Sequence, residues 1–226
     1  MQISVDKKLF EKFPGFHLGI LFLKGVSNKG ADSRLNMLLE NTEKLLQLDS
    51  TGMLIKRSAE VFAGNLVSPE KAVYEDTGFK PVHYKTNVEE MMKTILEGKK
   101  LKSSTKLDDC VRYVSLKFIA PIGVFDSERI NGDVVLKLKS QNVSDVVLSD
   151  NDGVFSEGWN LQTAQRARVS EKTSSAIVFI DGISPLSKEN VIEILHELRE
   201  VCGMFCGTVG KEAVLSVVKG KIDIPV

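Results

Sequence analysis

The side chains best suited to metal or covalent chemistry are few in this sequence. Its three histidines, His17, His83 and His196, are scattered, and no two of them stand at a metal-ligand spacing with an acid or thiol, so no metal is expected. The three cysteines, Cys110, Cys202 and Cys206, are odd in number, and the last two have three residues between them rather than the two of a redox or zinc hairpin. That pattern points to reduced thiols in a cytoplasmic protein. The sequence has no Gly-x-Ser-x-Gly elbow and no Walker or dinucleotide glycine fingerprint. The usual signatures of hydrolases, nucleotide binders and NAD enzymes are thus missing, and no cofactor is expected. His196 lies in an amphipathic helical pattern, which favours a structural or solvated role; His17 abuts a strand and His83 a loop.

Two further features could contact a ligand. The stretch from Lys99 to Lys106 holds four lysines, Lys99, Lys100, Lys102 and Lys106, in eight residues. Such a run either meets phosphates or is a solvated loop. Trp159 stands in the polar, glycine-bearing context Glu157-Gly158-Trp159-Asn160, where it is either a partly exposed stacking platform or a core-edge residue. Lys plus Arg number 30 and Asp plus Glu number 30, so no global field would draw the chain to DNA or to an anionic membrane. Any RNA contact must come from a local patch. No apolar run approaches the ~20 residues of a membrane span, and the amino terminus has no signal-peptide core.

Composition, 42% hydrophobic and 27% charged, is that of an ordinary globular domain. Leu18 to Leu23 is a continuous apolar run between Pro14-Gly15 and Lys24-Gly25, which predicts a buried strand. Asp32-Ser33 predicts an N-cap, with Leu35, Leu38, Leu39, Leu45 and Leu46 at helical spacing as far as about Leu48. Ser68-Pro69-Glu70 opens a short helix that Gly78 closes. Thr86-Asn87-Val88-Glu89 is a capping box for a helix carrying Val88, Met91, Met92, Ile95 and Leu96 and stopping at Gly98. Strands are predicted at Val134 to Leu138, Asp145 to Leu148 and Ala176 to Ile180. Ser187 caps a last helix through Val191, Ile194, Leu195, Leu198 and Val201, which Gly203 ends. Short strands thus follow a helical half. No repeat or linker divides the chain, which predicts one mixed α/β (α+β) domain over residues 1–226.

The run Gly78 to Glu89, then Ile95 to Leu101, Asp109 to Lys117, Ala120 to Asp126 and Gly132 to Leu136, resembles the B3/B4 domain of the phenylalanyl-tRNA synthetase β subunit. It is most similar to the free-standing relatives of that domain, which share the Ser-Leu-Lys and Pro-x-Gly-x-x-Asp forms. The resemblance extends through Trp159-Asn160 to Ile180, with its best-matched core at residues 69–182. It implies a mixed, largely antiparallel sheet flanked by helices, and hydrolytic editing of misacylated tRNA in trans. An aminoacyl ester is already activated, so positioned water and an oxyanion site suffice without a covalent nucleophile.

On the resemblance, Asp109, Arg112, Ser115 and Lys117 reach the substrate pocket. Pro121, Gly123 and Asp126 shape its wall, Gly123 leaving room for the amino acid. Trp159 and Asn160 contact the terminal adenosine or aminoacyl group, and Arg166, with the four lysines, meets tRNA phosphates. Each has a plainer alternative: Asp109 caps a helix, Asp126 makes a turn, Lys117 is a surface residue, and Ser115 is a buried hydroxyl bonded to a carbonyl. The family usually has asparagine where this chain has Arg112, and the synthetase domains tend to histidine where it has Gly123. Residues Leu161 to Ala167 also depart from the family pattern. An Arg at 112 could clamp a free carboxylate, which motivates the alternative of a non-catalytic module binding an amino acid, a tRNA end or a partner protein.

Overall fold

The computed structural model describes residues 1–48, 86–102, 105–140, 146–184 and 186–224. Ten strands and five α-helices are found among them. The strands are β1 (Gln2–Val5), β2 (His17–Lys24), β3 (Ile122–Asp126), β4 (Val134–Leu138), β5 (Val146–Asp150), β6 (Gly153–Glu157), β7 (Gln162–Thr163), β8 (Ser175–Gly182), β9 (Val209–Leu215) and β10 (Lys221–Asp223). The helices are α1 (Lys7–Lys12), α2 (Ser33–Leu48), α3 (Asn87–Leu96), α4 (Lys106–Phe118) and α5 (Lys188–Cys206).

The fold is mixed α+β, and its strands form two sheets. One has six strands in the order β10-β1-β4-β5-β6-β7, the other four in the order β3-β8-β2-β9. Every pairing is antiparallel except β1 with β4, where Ile3 faces Val134. The amino terminus therefore joins a strand more than a hundred residues away, and strands do not simply follow helices along the chain.

The alternation of side chains places the layers. Along β2, Leu18, Ile20 and Phe22 join a core shared with Phe125 of β3, Leu136 of β4 and Leu148 of β5, which lies between the two sheets. Leu21 and Leu23 join the other core, with Val111 and Val114 of α4 and Ile194 and Leu198 of α5. The four-stranded sheet is thus a middle layer, covered on one face by the second sheet and on the other by helices. This explains why Leu18 to Leu23 is apolar at every position: both faces of β2 are buried. Gly19 is required for this packing, since a Cβ there would lie 2.7 Å from Val191 Cγ1 of α5. At ~1.5–3 kcal/mol for each large side chain fully buried, the two cores are the main source of stability.

The N-caps read from sequence at Asp32, Thr86 and Ser187 form as expected. Thr86 and Glu89 make a reciprocal capping box on α3, Ser187 and Asn190 another on α5, and Asp32 Oδ1 accepts from Arg34 N at 2.9 Å ahead of α2. Gly203 does not end α5. The helix continues to Cys206 and closes at Gly207, which takes the left-handed conformation (φ 63°). Thr105, not Asp109, caps α4, its Oγ1 accepting from Asp108 N. The predicted Ser68–Gly78 helix and His83 lie outside the described residues. Among the described residues no helix is long and apolar enough to cross a membrane.

Candidate functional site

The residues singled out by sequence divide between the two faces of the four-stranded sheet. On the helical side, α4 carries Asp109, Arg112, Ser115 and Lys117. Asp109 is 2% exposed, and its Oδ1 accepts from Arg112 Nη1 at 2.9 Å. Arg112 Nη2 donates to the Lys102 carbonyl at 2.7 Å, so the guanidinium ties the Lys99–Lys102 segment to α4 and is engaged at both ends. Glu43 of α2 lies within electrostatic reach of this group; burial raises its carboxyl above the usual range, against the opposing pull of Arg112 and Lys100. Ser115 is fully buried and donates to the Ala120 carbonyl at 2.6 Å, within the turn that ends α4. Lys117 points to α5 and pairs with Glu197 at 2.6 Å.

Most of the other groups picked out from sequence also have partners. Asp126 caps a 3-10 turn at Ser127–Arg129 and accepts from Thr173 Oγ1 at 2.7 Å. Arg166 grips Asp150 bidentately, at 2.9 and 2.7 Å, and also donates to the Gly153 carbonyl; it braces a turn and does not stand free for a phosphate. Burial opposes ionisation of Asp150, but the hydrogen bond and charge of Arg166 together with the Asn131 and Asp152 backbone N–H groups outweigh it and hold the carboxyl below its ordinary range. Lys99 pairs with Glu97, Lys100 with Glu40, and Lys106 donates to the Phe205 carbonyl, while Lys102 is exposed. His196 pairs with Glu212 at 3.2 Å on the surface. The three thiols are free and buried, with Cys110 and Cys206 sulfurs 4.0 Å apart; the thiol contact and burial push the Cys206 pKa up, which makes this pair unreactive.

Gly123, Trp159 and Asn160 meet on the opposite face, between the sheets. Trp159 is 1% exposed, its ring 5.5 Å from Phe13 and 5.7 Å from Phe16, so it is a core residue and not an exposed stacking platform. The chain reaches it through three successive left-handed residues, Gly158 (φ 62°), Trp159 (φ 46°) and Asn160 (φ 62°). Asparagine tolerates that region, but tryptophan does so at a cost of ~1–2 kcal/mol, which burial of its ring offsets. The turn aims the Asn160 amide over Gly123, where a Cβ would lie 2.2 Å from Asn160 Oδ1. The space above Gly123 is therefore occupied by Asn160 and is not room for an amino acid.

Asn160 leads to a residue that the sequence reading missed. Its Nδ2 donates to Asp181 Oδ2 at 2.7 Å, and its Oδ1 accepts from Ser156 Oγ at 3.4 Å. Asp181 follows Ile177 and Phe179 on the inward face of β8, and is 1% exposed. Its Oδ1 finds no hydrogen-bond donor among the described residues. Burial pushes the carboxyl up to about 8, by stripping the hydration of its charged form. Beside it lies a small cavity, lined by Leu136, Val146 and Leu148 on one side and by Ser156, Asn160 and Asp181 on the other, with room for about one water molecule. The sequence signal for Asp181 is slight: a lone acid closing the apolar run Ala176 to Ile180.

The arrangement can orient one small polar molecule against a carboxyl group that changes charge near neutral pH. No known family and no curated protein matches the sequence. Among solved structures, the fold is similar to an N-terminal fragment of the phenylalanyl-tRNA synthetase beta-subunit from Pyrococcus horikoshii, at a TM-score of 0.43 and 12% identity, over 94% of this chain and 53% of that one. This chain thus spans about half of that fragment, and a likeness at this level assigns neither family nor activity.

Proposed function

We propose that this protein hydrolyses the ester bond of a misacylated tRNA, acting in trans. The observation that carries the reading is the meeting of Gly123 and Asn160, flagged by the editing-domain resemblance, with the buried carboxyl of Asp181 beside a water-sized cavity. A buried carboxyl and an oriented amide are the minimum that attack by water on an activated ester requires. Asn160 Nδ2 uses one hydrogen on Asp181 and has a second to offer to a developing oxyanion. The cavity admits water but not an aminoacyl group. Substrate therefore reaches the carboxyl only as the cavity opens with Asn160 still bonded to Asp181.

Arg112, the residue that motivated a carboxylate-binding module, has both its terminal nitrogens engaged. Ester hydrolysis is accordingly the better reading. Incubation of the pure protein with a panel of misacylated tRNAs is expected to release at least one amino acid faster than buffer alone. No release above the buffer rate across the panel would refute it.

A further inference from the structure

The Asp181 carboxyl uses one oxygen on Asn160, the other finds no donor among the described residues, and the residue lines the inter-sheet cavity. A buried polar atom of this kind is normally satisfied by ordered water, and such a water needs two to four polar partners. Ser156, Glu157 and Asn160 line the same space and can supply them. We infer that Asp181 Oδ1 holds an ordered water in this cavity and is the general base that activates it. The catalytic half of this inference rests on the ester-hydrolysis reading; the water site does not.

The step balances without a further reactant. The water oxygen bonds to the ester carbonyl carbon as one of its protons passes to Asp181 Oδ1. The carbon–oxygen bond to the ribose then breaks, and the leaving ribose oxygen takes the proton back from Asp181. The amino acid departs with its carboxyl group and the tRNA with its hydroxyl, one water being consumed.

Several features support the role. A carboxyl pushed up to about 8 is a stronger base than an ordinary one once it ionises. The strands packed against it present apolar side chains, Leu136, Val146, Leu148 and Leu18, and β3 presents Gly123. The charged group lining the cavity besides Asp181 is Glu157, which pairs with Lys139. Asn160 locks the carboxyl, and Gly123 leaves the space in which Asn160 sits.

The test combines a high-resolution crystal structure with deacylation rates of the wild type and Asp181→Asn between pH 6 and 9. Expected are density for one water on Asp181 Oδ1, a wild-type rate, corrected for the buffer reaction, that climbs through a midpoint near pH 8, and a variant at least ~100-fold slower whose corrected rate shows no such midpoint. The wild-type profile needs no variant, so a folding defect in Asp181→Asn does not remove the test; a flat wild-type profile overturns the catalytic role. A variant rate within about threefold of wild type overturns it as well. A cavity without water density overturns the water site. A wild type inactive on every ester overturns the proposed function and the catalytic role together, while the density still decides the water site.

Discussion

Gly123 matters to the candidate site through the side chain it lacks, because the Asn160 amide occupies that volume. Alanine there would bring its Cβ to 2.2 Å from Asn160 Oδ1 and 2.9 Å from Phe125 Cζ. Gly123→Ala should lower unfolding free energy by about 1–3 kcal/mol, the usual cost of overpacking, measured by denaturant titration. Asp181 makes a different prediction. The unfolded carboxyl ionises near 3.9, whereas the folded one does so at about 8. Between these values the native state holds the extra proton, so stability falls as pH rises, by up to ~1.4 kcal/mol per pH unit, and levels off above about 8. Asp181→Asn has no proton to lose, so its stability should decline less than that of the wild type between pH 5.5 and 8. Equal slopes would show that Asp181 ionises normally. Glu43, also raised, is common to both proteins and cancels in the comparison. Ser115 supplies the contrast to these two. Ser115→Ala leaves the Ala120 carbonyl without its donor and should cost ~1–3 kcal/mol of stability. Since Ser115 lies on the far side of the sheet from Asp181, the hydrolysis rate per folded molecule should not change.

Helix α5 shows how local signals decide an element and where they mislead. Its start was legible because the Ser187–Asn190 capping box depends only on neighbouring residues. Its end was not, because Gly203 and Gly207 both look like C-caps and only the backbone conformation separates them. Gly207 has φ 63°, while Gly203 is helical and an added Cβ would meet nothing closer than Thr208 O at 3.6 Å. Gly203→Ala should therefore stabilise the protein by up to ~1 kcal/mol, whereas Gly207→Ala should destabilise it by about that amount, both read from thermal melts. The same contrast explains the strands. β2, β4, β5 and β8 were legible as apolar runs, being buried on one or both faces. β10 has no such run; Lys221–Asp223 becomes a strand by pairing with Gln2–Ser4 at the other end of the chain. No local window contains that partner. Thr105 caps α4, which was not read from sequence, and its polar positions Asp109, Arg112 and Ser115 obscured the helical period until packing sorted them.

Across the whole molecule, the middle sheet separates what the sequence grouped together. Asp109, Arg112 and Ser115 are near Gly123 in sequence, yet the chain passes from α4 on one face of the sheet into β3, whose Gly123 turns to the other. Such a reversal cannot be read without knowing that β3 pairs with β8 and that β8 faces β6. Asp181 was invisible for the same reason, since its meaning comes from Asn160 and Ser156 across the interlayer. This division also bears on how tRNA would bind. The lysines at 99–106 belong to the helical face, through Glu40 of α2 and the Phe205 carbonyl of α5. A tRNA whose ester reacts at Asp181 has the middle sheet between its acceptor end and these lysines. Each phosphate contact contributes about 0.9 to the slope of log affinity against log salt on a duplex stem. Replacing Lys99, Lys100 and Lys102 together by Gln should therefore reduce that slope by no more than about one, measured by titrating tRNA at several salt concentrations. A fall of two or more would place the RNA backbone on the helical face and move the search for the reacting ester to the Asp109–Arg112 side of the sheet.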